Sequence, residues 1–255
     1  MLFCKWLFVS ASVLAYAQDP FEIQVFEYDP LPRGAFTYEA HINDVVTGLE
    51  TSPGQGVAPW HDQFHLSSEV TAGLNDAVRI GVTALTAMVP GYGPEYAGIR
   101  ILPHFYAPKS WNLPLNLGFV VEFSFEHPLF NENTREVELR GILEKHLGRL
   151  ELDSNYVMAH ALRGPGTSEG WEFEPSGRVG WRLSSVITPS LEYYGSLGPV
   201  DNVLPIYRQA HLLFPGADWR PREGVTWSFG IGVGLTDERL VFKSRIEFEF
   251  GRKRD

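Results

Sequence analysis

Cysteine is almost absent from this sequence: the single thiol, Cys4, lies at the extreme amino terminus. A chain that loses that end has no disulfide and no thiolate metal site. Long apolar runs are missing too. A membrane-crossing helix needs about 20 apolar residues, and nothing beyond the amino terminus supplies them. Basic residues are in the minority, with 21 Lys and Arg against 31 Asp and Glu and a formal net charge of −10. That balance lacks the basic footprint of a nucleic-acid binder. It argues for solubility and against polyanionic partners. Mean hydropathy is −0.11, which is compatible with a transmembrane barrel because such a wall alternates apolar and polar residues.

The amino terminus is what the sequence has in place of a long apolar span. Lys5 closes a short basic region, residues 6–16 are apolar, and Ala15-Tyr16-Ala17 is a small-x-small cleavage pattern. This is the layout of a secretory signal, so residues 1–17 are expected to be removed and Gln18 to begin the mature chain. Cys4 precedes the apolar region, so it does not read as a lipoprotein cysteine.

From Phe36 onward the dominant period is two. Leu240, Phe242, Ser244, Ile246, Phe248 and Phe250 share one face, opposite Val241, Lys243, Arg245, Glu247 and Glu249. Val225, Trp227, Phe229, Ile231, Val233 and Leu235 alternate with Thr226, Ser228 and three glycines, and the short link at 236–238 makes these two runs a hairpin. Further strands are predicted over 36–46, 63–73, 78–88, 96–106, 115–126, 136–146, 150–162, 172–183, 187–196 and 207–214. The total is about twelve, an even number, with most segments long enough to cross a bilayer at a tilt. Short links (74–76, 147–149, 183–186) alternate with long ones (47–62, 127–135, 163–170, 197–205), which is how outer-membrane barrels arrange their two rims.

The predicted fold is therefore all-β: an antiparallel transmembrane β-barrel over residues 35–255, with no linker dividing it. Alternation alone does not say which face is outside. The export signal, the strand length and a polar face bearing both charge signs put the apolar face toward lipid. An Arg or Lys facing lipid at mid-membrane costs about 2–4 kcal/mol. The polar, luminal face carries the candidate functional residues Glu122, Glu138, Arg140, Glu172, Glu174, Arg178, Arg182, Arg245 and Glu247. The densest group, Glu172, Glu174, Arg178 and Arg182, reads either as a selectivity ring or gate or as a salt-bridged lumen that fixes the barrel's shape.

Residues 21–28 also alternate, but Asp29-Pro30-Leu31-Pro32 cuts the run short. Proline blocks ladder bonding, so residues 18–34 are read as a periplasmic lead-in. The alternative is a segment that enters the lumen or pairs with a rim strand.

The final Phe248-Glu249-Phe250 resembles the assembly signal of outer-membrane proteins, although Gly251-Arg252-Lys253-Arg254-Asp255 follows where such chains usually stop. The signal, the Asp19-Pro20-Phe21 start, the amphipathic hairpins and the aromatic last strand together resemble uncharacterised barrels near the phenol-degradation MetA-pathway transport family. The resemblance implies passage of small, in part hydrophobic, molecules, with outer-membrane lipids and the barrel-assembly machinery as partners.

Catalytic and metal patterns are weak. His65 and Ser67 share a strand face, which permits a nucleophile–base pair, but that face is the luminal one and no Gly-x-Ser-x-Gly elbow occurs. His61, Asp62 and His65 straddle a loop and a strand, a poor chelate. Arg163-Gly164-Pro165-Gly166-Thr167 lacks the Gly-Lys-Ser/Thr ending of a phosphate loop. The expectation is a non-enzymatic passive channel in the cell outer membrane, without cofactor or metal and with a small-molecule cargo. A closed structural or surface-interaction barrel and an outer-membrane lipid hydrolase are the alternatives.

Overall fold

The alternating segments are antiparallel strands in the computed structural model, which describes residues 19–236 and 239–251. In chain order they are β1 (Phe36–Thr47), β2 (Gln63–Asn75), β3 (Val78–Val89), β4 (Gly93–Tyr106), β5 (Asn116–Glu126), β6 (Arg135–Leu147), β7 (Leu150–Arg163), β8 (Glu172–Trp181), β9 (Ile187–Ser196), β10 (Ala210–Arg222), β11 (Val225–Gly234) and β12 (Leu240–Phe250). Each strand pairs with the next, and β1 pairs with β12, so the sheet closes into a twelve-stranded barrel. Closure matters physically because an open edge in lipid leaves backbone groups unsatisfied. No helix among the described residues is long and apolar enough to cross a membrane.

The two faces sort as alternation requires. Along β3, Arg79, Gly81, Thr83, Leu85, Ala87 and Val89 are buried inward while Ile80, Val82, Ala84, Thr86 and Met88 are exposed outward. The closing seam is aromatic on its outer side: Phe36 stacks on Phe250 at 4.8 Å and Tyr38 on Phe248 at 6.5 Å. Phe36↔Phe250 is also the first register pair of that seam.

Both ends of the barrel meet at one rim, here the terminal rim, together with connections 76–77, 107–115, 148–149, 182–186 and 223–224. The opposite, loop rim carries 48–62, 127–134, 164–171 and 197–209. The short–long alternation has three exceptions: residues 107–115 make a longer turn on the terminal rim, and 90–92 and the five-residue link between β11 and β12 are short connections on the loop rim.

Strand limits follow the sequence reading closely except in β10. The expected strand at 207–214 instead runs Ala210–Arg222, and Ile206–Arg208 is a 3-10 turn. Pro215-Gly216 reads as a break in sequence, but the strand continues through it. Pro215 faces outward and keeps its register with Leu191 on β9, while the rungs toward β11 lapse between Leu213↔Val233 and Gly216↔Gly230 without a shift. Phe214 points inward beside Gly232, where a Cβ would fall 2.1 Å from the ring. The expected signal at 1–17 lies outside the described residues.

Candidate functional site: a lumen occupied by the amino-terminal segment

The expected lead-in outside the barrel is corrected by the structure: the segment before β1 runs through the inside of the barrel. Phe21, Glu22, Ile23, Gln24, Val25 and Phe26 are all buried, so the run has no solvent face, and Leu31 is 1% exposed. It starts near the loop rim, where Phe21 packs edge-on against His65 at 4.5 Å and Phe130 at 5.4 Å. It ends at the terminal rim, where Gly34 N–H donates to Gly73 C=O at 3.2 Å and Gly73 N–H donates to Ala35 C=O at 2.9 Å. Gly73 is needed there, since a Cβ would lie 2.2 Å from the Pro32 carbonyl oxygen and 2.4 Å from that of Leu31.

The prolines do exclude the segment from the ladder. Its backbone is satisfied instead by wall side chains, as buried polar groups require. Asn43 Nδ2 donates to Pro20 C=O at 2.8 Å, and Ser67 Oγ donates to Phe21 C=O at 2.6 Å. Asn155 accepts from Phe26 N–H at 2.7 Å and donates to Phe26 C=O at 2.9 Å. Glu144 accepts from Tyr28 N–H at 2.9 Å, and the Tyr28 hydroxyl donates to Ala107 C=O at 2.7 Å.

Apolar packing follows the same path. Phe21 joins Ala58, Leu85, Ala87, Val89, Ala97 and Phe130. Ile23 and Val25 join Val45, Tyr194, Ala210, Leu212, Phe214 and Val241. Phe26 joins Leu102, Tyr106, Val120 and Ile142. All three clusters thus contain residues of the segment, which acts as the core of the barrel.

Four wall arginines bind its polar groups. Arg79 meets Asp29 at 2.8 Å. Arg100 pairs with Asp19 and lies 3.5 Å from Glu22, while also meeting the wall carboxylates Glu122 at 3.3 Å and Glu126 at 2.7 Å. Arg178 lies 3.5 Å from Glu27, 3.4 Å from Glu151 and 3.0 Å from Asp153, and pairs with Asp218. Arg245 donates to Gln24 at 2.7 Å and meets Glu39 at 3.3 Å and Glu247 at 3.8 Å.

Eight of the nine luminal candidates lie at inward positions on strands, and Arg182 falls just past β8 in the connection at the terminal rim. Glu122 is buried and accepts from Ser124 Oγ at 2.9 Å. Glu138 pairs with Arg140 at 3.0 Å, and the Arg140 guanidinium sits 4.4 Å above the Phe26 ring. Glu172, Glu174 and Arg178 succeed one another along β8 and Arg182 follows its end, so the four run down the lumen rather than around it. Arg182, at the terminal rim and 43% exposed, joins the Arg178 group through Glu151 at 2.9 Å. Glu174 instead lines a small luminal cavity with Asp19, Glu22, Arg100, Glu138 and Arg140. The cavity measures about 20 Å³, room for one water-sized molecule.

Sequence reasoning passed over Asn43, Asn155, Glu144 and Gly73. Inward amides on strands otherwise lined with charges were the available signal, because an amide can bond both N–H and C=O of a backbone. Ser67 is engaged with the Phe21 carbonyl, and among the described residues neither ring nitrogen of His65 has a hydrogen-bond partner.

No family model matches the sequence, and no curated protein is similar to it in sequence. Solved structures are similar in shape. The COG4313 outer membrane channel from Pseudomonas putida F1 matches with a TM-score of 0.59 at 12% identity, over 90% of this chain and 100% of that one. NanC porin matches with a TM-score of 0.57 at 10% identity, over 84% of this chain and 100% of that one. KdgM porin, in a structure with disordered oligogalacturonate, matches with a TM-score of 0.51 at 7% identity, over 85% of this chain and 99% of that one. The likeness is one of fold: this chain has the closed antiparallel barrel of porin-like outer-membrane proteins.

Proposed function

We propose that the protein is a passive outer-membrane channel for small molecules, closed at rest by its own residues 19–35. Residues 1–17 serve as the export signal, and outer-membrane lipids and the barrel-assembly machinery are its partners. The terminal rim, with the short turns, faces the periplasm. The fold likeness to porins and channels supports transport as an associational argument. The observation that carries the reading is the luminal segment: it leads into β1, and among the described residues it is held by side-chain contacts rather than by sheet bonding.

Magnitudes support a movable closure. Burying a Val, Ile, Leu or Phe side chain contributes about 1.5–3 kcal/mol. Ordering each residue of the segment costs about 1–2 kcal/mol of backbone entropy. Over this length the ordering cost exceeds the apolar gain, so the hydrogen bonds and ion pairs decide whether the segment stays.

The KdgM porin structure with oligogalacturonate supports a small-molecule cargo. The resemblance to the phenol-degradation MetA-pathway transport family narrows it to small, in part hydrophobic, solutes. A permanently closed structural barrel is the second reading, favoured by the segment's place in all three apolar clusters.

Planar-bilayer recording separates the two readings. The full chain and a chain lacking residues 19–33 are compared after folding is verified by heat-modifiable gel mobility. A channel with an internal closure gives rare openings in the full chain and sustained steps in the shortened one. A folded, shortened barrel that never conducts supports the structural reading instead.

A further inference from the structure

The charge left on the wall when the segment departs sets which solutes can use the lumen. The arginines that hold the segment are shared with wall carboxylates. Without Asp19 and Glu22, Arg100 keeps Glu122 and Glu126. Without Glu27, Arg178 keeps Glu151, Asp153 and Asp218. Without Gln24, Arg245 keeps Glu39 and Glu247. Arg100 and Arg245 therefore stay outnumbered by carboxylates of the wall itself, the Arg178 group is balanced because Arg182 and Arg220 share Glu151 and Asp218, and Arg79 loses its ion pair to Asp29.

Other inward carboxylates form no ion pair among the described residues. Glu174, on the luminal cavity, forms no ion pair among the described residues. Glu69 is held by the hydroxyls of Thr71 at 2.6 Å and Thr83 at 2.8 Å. Two deeply buried carboxylate oxygens, Oε2 of Glu122 and Oδ1 of Asp153, accept no hydrogen bond among the described residues, although their side chains are 2% and 1% exposed. A low-dielectric wall focuses such a field along the pore axis, and rings of Asp and Glu are how cation pathways are lined.

We infer that the opened lumen is selective for cations, so that its cargo is cationic or neutral and polyanions are excluded. The inference rests on the channel reading above and adds the charge class of the solute. The path runs past Glu122, Glu138 and Glu174 near the loop rim and past Glu151, Asp153 and Asp218 nearer the terminal rim.

The test is the reversal potential of full-length protein in a planar bilayer under a KCl gradient. It is recorded for the native chain and for the Asn155→Ala and Gly73→Val variants, which loosen the segment at two independent points. The expected result is a cation-to-anion permeability ratio several-fold above one in every conducting form. The paired substitution Glu138→Gln and Glu174→Gln should bring that ratio toward one with conductance retained. A ratio at or below one in conducting native or loosened barrels overturns the inference while leaving the channel reading intact. If none of the three folded proteins conducts, the channel reading fails, and the inference falls with it.

Discussion

Asn155 grips the backbone of Phe26 with both ends of its amide, accepting from the N–H at 2.7 Å and donating to the carbonyl at 2.9 Å. The bond pair copies a rung of sheet between residues 129 apart in sequence. Asn155→Ala removes both bonds and strands two buried backbone groups. The expected loss is about 2 kcal/mol of segment docking, or roughly a 30-fold rise in the open-to-closed ratio. Single-channel open probability measures it, and the barrel's gel mobility should be unchanged because the wall keeps its own ladder.

Gly73→Val acts at the other end of the segment. The new Cβ falls within 2.4 Å of both the Pro32 and Leu31 carbonyl oxygens. The turn into β1 has to move, while Gly73 itself stays in register opposite Arg79. Limited proteolysis at residues 19–35 should become faster than in the native protein, with the barrel fragment surviving.

Arg178 and Arg182 sit four residues apart on one chain segment, with side chains 3% and 43% exposed. Arg178→Met leaves Glu27, Glu151, Asp153 and Asp218 without their shared cation. Breaking a buried pair in this way costs about 3–5 kcal/mol. Arg182→Met removes a partly solvated pair worth about 0–1 kcal/mol. Urea unfolding of both variants in liposomes should show a large drop in stability for the first and a small one for the second.

Ile231 tests which face meets lipid. It is 45% exposed on the outer side of β11, between inward Gly230 and Gly232. Ile231→Arg is expected to destabilise the folded barrel by about 2–4 kcal/mol if it lies near mid-membrane. The measurement is the urea midpoint in vesicles, and an unchanged midpoint would put that face out of the bilayer.

The wall was legible in the sequence because lipid and lumen impose opposite demands on successive residues, so β11 and β12 show as unbroken alternation. β10 was cut short because Pro215-Gly216 looks like a turn when its neighbours are unknown. In the barrel, Pro215 sits at an outward position where the β11 rungs lapse but the β9 register holds. The direction of the charged candidates was legible for the same reason as the wall. Their grouping was not, since Arg178 draws its carboxylates from the luminal segment, β7 and β10. The luminal course of residues 19–35 was the least legible part. Its prolines correctly rule out sheet pairing, but the bonds that replace the ladder come from Asn43, Ser67, Glu144 and Asn155, and no local pattern marks an asparagine as a backbone clamp.

The most direct test of closure by the amino-terminal segment is to lock it in place. Phe26→Cys and Asn155→Cys, in a chain that also carries Cys4→Ser, are joined by oxidation to a disulfide, and single-channel currents are recorded before and after the link is cut by reduction. Silence in the joined protein, followed by openings once the link is cut, is the expected result. Openings of equal size and frequency in the joined protein would mean that solutes pass without the segment leaving the lumen.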